Sequence, residues 1–213
     1  MVRQRACRRF TDEPVDEGDL TRMLEAATHA PSAENRQPWV FVVVRDPATR
    51  RAIAAVTLEV WRAGGRQHAS GTLTPTLFEA VHRFMEEGYG GAPVLVVVAG
   101  DGRDGSSRSV LASSVLPAAQ NLLLAAAALG YGSSLTTLAA QAPDALRAVV
   151  GIPDGIHPFA VVPVGRPAVP LGPPRRKPVH EVAHADTFGT PFPQLSAVPA
   201  EPAGRPPPPP PPA

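Results

Sequence analysis

The clearest pattern along the chain is helical. In "DEGDLTRMLEAATHA" (16–30), apolar residues recur at the i, i+3, i+4, i+7 spacing of one helix face, from Leu20 to Ala27. Asp16 stands where a helix N-cap is expected, so we predict an amphipathic helix that begins there. Three more helices are predicted, from Pro47 to about residue 56, near 76–87, and over 143–152.

Short runs of β-branched and aromatic residues alternate with these helices. "WVFVVV" (39–44), "PVLVVVA" (93–99) and "PFAVVPVG" (158–165) are continuous apolar runs that predict buried strands. "SSLTTL" (133–138) predicts a further short strand. The alternation indicates helices that cover a sheet, in either an α/β or an α+β fold. The segment 60–91 is only weakly periodic, so outside its short helix we expect it to be mobile.

One predicted helix, "SSVLPAAQNLLLAAAALG" (113–130), is apolar on nearly every side. A single subunit of 213 residues offers few layers to cover such a helix. We therefore expect a second subunit to cover part of it, which makes the protein an obligate dimer.

Composition narrows the class of protein. The 44% share of hydrophobic residues indicates a globular body, and the formal net charge of +1 gives no electrostatic case for nucleic acid binding. The single cysteine, Cys7, fits a reducing compartment, and no stretch approaches the roughly 20 apolar residues of a membrane span. We predict a cytoplasmic protein with one domain over 1–189 and a proline-rich, disordered tail over 190–213.

Two motif matches fail on their context. "HEVAH" (180–184) has the pattern of a zinc protease helix, but prolines surround it and no third ligand follows. "GDGRDG" (100–105) has the glycine spacing of a dinucleotide-binding turn, yet its two aspartates would repel a pyrophosphate and no apolar helix opens directly after it. We predict no metal site and a polar loop at 100–105.

Two basic clusters and one polar loop carry the remaining chemistry. "RQRACRRF" (3–10) and "PRRKP" (174–178) could clamp a phosphate between guanidinium groups, although a solvated basic arm is the alternative for the first. "APSAENRQPW" (30–39) places several hydrogen-bonding side chains between two stiffening prolines. Such a loop suits the edge of a planar heterocycle, and an ordinary structured turn is the alternative.

Four stretches, taken in order, resemble the FMN-dependent nitroreductase family. "RACRRFTDEPV" (5–15) is similar to its opening motif and "APSAENRQPWVFVVV" (30–44) to its P-S-x-x-N-x-Q-P-W-x-F signature. "PAAQNLLLAAAALGYGSSLTT" (117–137) resembles its central helix and glycine-rich turn. "GIPDGIHPFAVVPVGRP" (151–167) with "RRKPVHEV" (175–182) resembles its closing segment. The resemblance covers roughly residues 4–189.

The resemblance implies an α+β fold with a mostly antiparallel sheet, a long central helix, and a homodimer that binds FMN at its interface. It implies FMN phosphate and ribityl contacts from Arg5, Ala6 and Arg8, closed by Arg176 and by Arg175. From the partner subunit it implies Pro31, Ser32 and Ala33, with Asn35 and Gln37 in the same signature. At the isoalloxazine edge it implies Leu135, Thr136 and Thr137, through backbone and hydroxyl groups.

The implied activity is that of an oxidoreductase in which FMN takes hydride from NAD(P)H and a flat small molecule, such as a nitroaromatic or a quinone, accepts the electrons. Because the cofactor performs the transfer, no catalytic side chain is named. The alternative is a protein of the same fold that binds or stores a flavin or a deazaflavin without turnover. Gln4 and Ala6 depart from the Arg and Ser usual in the opening motif, which removes two expected contacts.

Overall fold

The computed structural model describes residues 4–192. The chain through Pro174 forms one unit, and a second unit begins at Arg175. The predicted tail, 190–213, lies almost wholly outside the described residues, and the domain boundary at 189 stays a prediction.

The first unit contains six helices and four strands among its described residues. The helices are α1 (Glu17–Thr28), α2 (Pro47–Val60), α3 (Arg66–Thr72), α4 (Pro75–Glu86), α5 (Arg108–Ala128) and α6 (Pro143–Val150). The strands are β1 (Trp39–Val44), β2 (Val94–Asp101), β3 (Gly132–Ser133) and β4 (Ile156–Gly165).

The strands form one antiparallel sheet in the order β1-β2-β4-β3. Side chains of the central strands alternate between two apolar layers, as the two-residue period of a strand requires. Helices α1 and α5 cover one face, and the other face packs against residues from α2, α3, α4 and α6. This is the predicted α+β class with a mostly antiparallel sheet.

The predicted caps explain where the early helices begin. The Asp16 side chain accepts a hydrogen bond from the Asp19 amide (2.9 Å), and the Asp46 side chain accepts one from the Thr49 amide (2.7 Å). Each bond satisfies one of the amides that a helix start leaves without an intrahelical partner. Both predicted N-terminal boundaries are confirmed.

The helix predicted near 76–87 is confirmed as α4, but most of the remaining segment 60–91 is helical as well, which its weak periodicity does not predict. α2 passes directly into a single π-helical turn, Trp61–Gly65, and then into α3 and α4. Trp61 is only 2% exposed and belongs to the apolar layer under α2. The side chain of Trp61 thus anchors a segment whose local sequence is weakly periodic, and tertiary packing overrides the local signal.

The strand predicted over 133–138 is also wrong in extent. Only Gly132–Ser133 pair with β4, after which Thr136 forms one isolated bridge with Val161. The Thr136 amide donates to Val161 O (3.1 Å), the Val161 amide donates to Thr136 O (2.9 Å), and the Thr136 hydroxyl donates to Val161 O (2.8 Å). These bonds pin the segment at one point and leave its neighbours outside the sheet.

The long apolar helix begins at Arg108, five residues before the predicted start, with the Ser107 hydroxyl as its cap. It is also long and apolar enough to meet the length and composition test for a membrane span, so the prediction that no stretch approaches that limit needs correction. In this fold α5 packs against α1 and against β2 and β4. Its opposite side, which includes Val110 and Leu116, is exposed in the single chain.

Candidate functional site

The N-terminal segment runs along the edge of the sheet at β3. The Cys7 amide donates to Ser133 O (2.9 Å), and the Phe10 amide donates to Gly90 O (3.0 Å). Cys7 itself is 1% exposed, so it is packed, and burial raises the pKa of its thiol. These contacts fix Arg5, Ala6 and Arg8 beside the segment that begins at Gly132 and ends at Thr137.

Gly132 is required for that docking. A Cβ atom at Gly132 would lie 2.6 Å from Cys7 Sγ and 2.7 Å from Cys7 Cβ, both far below van der Waals contact. The N-terminal segment can therefore reach Ser133 only because residue 132 lacks a side chain.

Arginines line a cavity of about 270 Å³ at this place. Arg5, Arg8 and Arg9 enter it from the N-terminal segment, Arg83 enters from α4, and the segment 169–172 closes it. Within residues 4–192, none of these four arginines forms a salt bridge with a carboxylate. We name this cavity the arginine pocket.

No carboxylate within residues 4–192 neutralises the cations in the arginine pocket. Burial, and then the neighbouring Arg5 cation, lower the pKa of Arg8. A bound anion would offset the cost of keeping Arg8 charged in the pocket. Guanidinium groups bind phosphate oxygens bidentately, through two parallel hydrogen bonds. The pocket therefore has the size and the charge expected for a terminal phosphate monoester.

The glycine-rich turn after α5 supplies neutral groups next to this pocket. The Ser134 hydroxyl is buried, at 4% exposure, and has no hydrogen-bond partner among the described residues. Thr136 has its amide, carbonyl and hydroxyl engaged by Val161. Leu135 is 43% exposed and Thr137 is exposed, so these two residues present the turn to a ligand while Thr136 positions it.

The polar loop 30–38 lies before β1 and is held by its own side chains. The Ser32 hydroxyl accepts a hydrogen bond from the Gln37 amide (3.0 Å), and the Ser114 hydroxyl of α5 accepts one from the Ala33 amide (3.1 Å). Asn35 Oδ1 accepts a bond from Gln37 Nε2 (3.3 Å).

The backbone of this loop is unusual as well. Three non-glycine residues adopt positive φ angles, namely Glu34 (53°), Asn35 (53°) and Gln37 (51°). Non-glycine residues in this region are strained and are found most often at functional sites. The loop is thus a rigid turn with exposed polar side chains, as its two prolines led us to expect.

The loop and the arginine pocket lie at opposite corners of the sheet in one chain. Trp39, which follows the loop, pairs with Gly100 and through it with His157, whereas Ser133 pairs with Val164 at the other end of β4. Trp39 and Ser133 are thus separated by three strand spacings across the sheet and by seven residues along it, which gives about 27 Å on the diagonal. The structure therefore groups Arg5, Ala6 and Arg8 with 133–137, but it does not bring Pro31, Ser32, Ala33, Asn35 or Gln37 to them.

Arg175 and Arg176 belong to the second unit, where both are exposed and Arg176 donates to the Arg175 carbonyl (3.0 Å). Their predicted closure over a phosphate stays a prediction. In the same unit, "HEVAH" forms only one 3-10 turn at Val179–Glu181, so it lacks the helix that would place its two histidines on one face.

The segment "GDGRDG" is a polar turn, as predicted. β2 ends at Asp101, whose carboxylate binds Arg103, and α5 begins only at Arg108. Hydrogen bonds from Arg103, chiefly those of its side chain, lower the pKa of Asp101 to about 2. The carboxylate is therefore anionic and would repel a pyrophosphate.

Sequence reasoning missed two parts of the arginine pocket, Arg83 and the segment 169–172. An arginine on the polar face of a helix carries no signal that separates it from a solvated one. Only the packing of α4 against the N-terminal segment brings it to the site.

The chain is similar over most of its length to known proteins. The Nitroreductase family profile matches residues 1–166. A protein named NADH dehydrogenase from Thermus thermophilus is 32% identical over 193 residues, which are 85% of this chain and 91% of that protein. A putative NADH dehydrogenase/NAD(P)H nitroreductase from Archaeoglobus fulgidus is 30% identical over 166 residues, 77% of this chain and 81% of that one. The crystal structure of a putative nitroreductase in complex with FMN from Desulfovibrio desulfuricans has a TM-score of 0.67 at 30% identity, covering 90% of this chain and 94% of that one.

Proposed function

The chain belongs to the nitroreductase family and is an oxidoreductase, and from this premise we propose that it binds FMN and catalyses hydride transfer from NADH or NADPH to a flat acceptor such as a nitroaromatic or a quinone. When bound, FMN supplies the redox chemistry. The protein contributes binding, orientation and electrostatics.

The observation that carries this proposal is the unneutralised arginine pocket beside a buried, unpaired hydroxyl. A phosphate on Arg5, Arg8 and Arg9 would offset the burial and the repulsion from Arg5 that lower the pKa of Arg8. A ribityl or ring atom would give the Ser134 hydroxyl the partner that it lacks among the described residues. These residues therefore fit FMN.

We further propose that the site is completed by a second copy of the chain. Trp39, directly after the loop 30–38, and Ser133, beside the arginine pocket, lie about 27 Å apart across the sheet of one subunit, so the loop and the pocket do not form one site there. The exposed apolar side of α5, with Val110 and Leu116, needs a cover. A two-fold axis beside α5 would bury this side and carry the loop, which is bonded to Ser114, toward the partner.

The test is to identify the bound cofactor and then to reduce it. Protein purified with added flavins should release FMN, not FAD, on denaturation, because the aspartates of the polar turn at 100–105 would repel a second phosphate. NADH or NADPH mixed in anaerobically should then bleach the oxidised flavin band. A colourless protein that cannot be reconstituted with FMN would overturn the proposal.

The bleaching step also separates the two candidate functions. Rapid bleaching, followed by return of colour when a nitroaromatic or a quinone is added, supports the oxidoreductase assignment. Bound flavin that neither nicotinamide reduces would instead favour a protein that binds or stores a flavin.

A further inference from the structure

A second cavity lies on the other side of the glycine-rich turn. It has a volume of about 610 Å³, within the range of roughly 300–1,000 Å³ that is typical of small-molecule sites. The π-turn, α3 and the start of the 3-10 turn after β3 enclose it. We name it the apolar pocket, and its lining includes Trp61, Gly64, His68, Leu73, Leu138 and Gln141.

The apolar pocket adjoins the segment proposed to face the flavin. Leu138, in its wall, directly follows Thr137. The π-turn packs tightly on this residue, since a Cβ atom added at Gly65 would lie 3.3 Å from Leu138 Cδ2. A molecule in the pocket would therefore be next to whatever Leu135 and Thr137 contact.

The walls of the apolar pocket are uncharged. No Lys, Arg, Asp or Glu is among its described lining residues, and the polar groups are those of His68, Thr72 and Gln141. Trp61 Nε1–H is taken up by His82 Nδ1 (3.3 Å), so Trp61 brings no free hydrogen-bond donor to the pocket wall.

The aromatic wall is also stiff. The Trp61 and His82 rings stack at 6.2 Å between centroids, and the His82 and Phe78 rings stack at 5.9 Å. Trp61 is 2% exposed, so this stack supports the pocket wall from behind and holds Trp61 in place. An uncharged lining penalises a ligand that brings an unpaired charge out of water.

We propose that the apolar pocket binds the electron acceptor and that it selects uncharged planar acceptors over anionic ones of the same shape. This inference rests on the proposed function, because it names the class of acceptor for that site. It adds a location, the π-turn beside Leu138, and a rule of charge selection.

Binding can be measured without turnover, because the chain has only two tryptophans. In a Trp39→Phe variant, purified as the full chain, the remaining fluorescence comes from Trp61 in the pocket wall. We expect menadione to quench it saturably. We expect 1,4-naphthoquinone-2-sulfonate, at about pH 8 where imidazole is ordinarily neutral, to bind about tenfold or more weakly.

Two helical glycines provide a matched pair of variants. A side chain at Gly64 or at Gly71 would meet nothing within 4 Å, yet only Gly64 lines the apolar pocket. In the Trp39→Phe background, Gly64→Leu should abolish saturable menadione quenching and Gly71→Leu should leave it unchanged. Equal quenching in both variants would overturn the assignment of the pocket.

A gain of binding tests the charge rule. Gln141 is exposed and lines the pocket, so Gln141→Arg adds a cation that the surface can accommodate. It should strengthen sulfonate binding severalfold or more while menadione binding changes little. Sulfonate binding as tight as menadione binding in the parent, or unaltered in Gln141→Arg, would refute the charge selection.

These outcomes are separable from those of the proposed function. A protein that binds FMN and is bleached by NADH, but whose Trp61 responds to neither quinone, keeps the proposed function and loses the pocket. A protein that never binds flavin loses the proposed function, whatever its quinone titration shows.

Discussion

Replacing Gly132 with alanine tests how the N-terminal segment builds the arginine pocket. The new methyl group would lie 2.6 Å from Cys7 Sγ and 3.1 Å from Pro167 Cγ, while the N-terminal segment is joined to Ser133 by a single 2.9 Å hydrogen bond. To relieve this overlap, the N-terminal segment would have to move away from β3. Forced overpacking of this kind typically destabilises a protein by about 1–3 kcal/mol.

The effect on flavin should be larger than the effect of lost stability alone. Arg5 and Arg8 flank Cys7, so a displaced segment moves both guanidinium groups away from Arg83 and from the turn. Losing well-aligned hydrogen bonds to a charged phosphate is worth roughly 1.5–3 kcal/mol, so we expect the Kd for FMN to rise about tenfold or more. Quenching of FMN fluorescence measures the affinity, and denaturant unfolding measures the stability.

A compensating change makes the test specific. Cys7→Gly removes the two atoms closest to the new methyl group and leaves only the 3.1 Å approach to Pro167 Cγ, so the double variant should bind FMN better than Gly132→Ala alone, a non-additive result in a mutant cycle. Gly64→Ala, where the space is open, serves as the control for adding a methyl group. If Gly132→Ala binds FMN and unfolds as the parent does, the docking argument is refuted.

Three further outcomes are expected. Leu116→Glu should yield a monomer with little bound FMN in light scattering, whereas Leu77→Glu, equally exposed at 37%, should leave a flavin-bound dimer. Burial raises the pKa of Tyr89 from 10.0 to about 12, so the unfolded chain loses the hydroxyl proton at a lower pH than the folded chain does. The free energy of unfolding should therefore fall between about pH 10 and 12. In denaturant titrations, Tyr89→Phe should flatten this part of the dependence of stability on pH. Arg176→Ala should weaken FMN binding by about 1.5–3 kcal/mol, and an unchanged Kd for FMN in this variant would contradict the prediction. Replacing both histidines of "HEVAH" with alanine should leave FMN binding unchanged. Loss of activity together with a stoichiometric zinc ion in that variant would contradict us.

Elements with a strong local signal could be predicted from the sequence. The helix after Asp16 and the helix after Asp46 have both a periodic apolar face and a capping side chain, and both begin where expected. Of the three long apolar runs, β2 and β4 are the buried central strands that such runs predict. β1 lies at the sheet edge and is mostly half-buried in the single chain, so the prediction of a buried strand is wrong there.

Elements that depend on distant contacts could not be predicted. The π-turn exists because Trp61 is buried beneath α2. The strand expected at 133–138 stops after Ser133, since beyond that residue a single isolated bridge, from Thr136 to Val161, joins this segment to β4. At the candidate site, too, some residues could be predicted from the sequence and others could not. The motif indicated Arg5 and Arg8, but the engagement of Thr136, the unpaired hydroxyl of Ser134 and the approach of Arg83 arise only from packing.

The separation of the two polar regions also relates cofactor binding to assembly. If the arginine pocket of one subunit and the loop 30–38 of its partner contact one FMN, the cofactor binds the dimer more tightly than it binds the separate chain. A ligand that prefers one state stabilises that state by mass action, so FMN should strengthen the dimer. The same assembly step would then bury the exposed apolar side of α5 and neutralise the charge of the arginine pocket. Both features are unfavourable in a single chain.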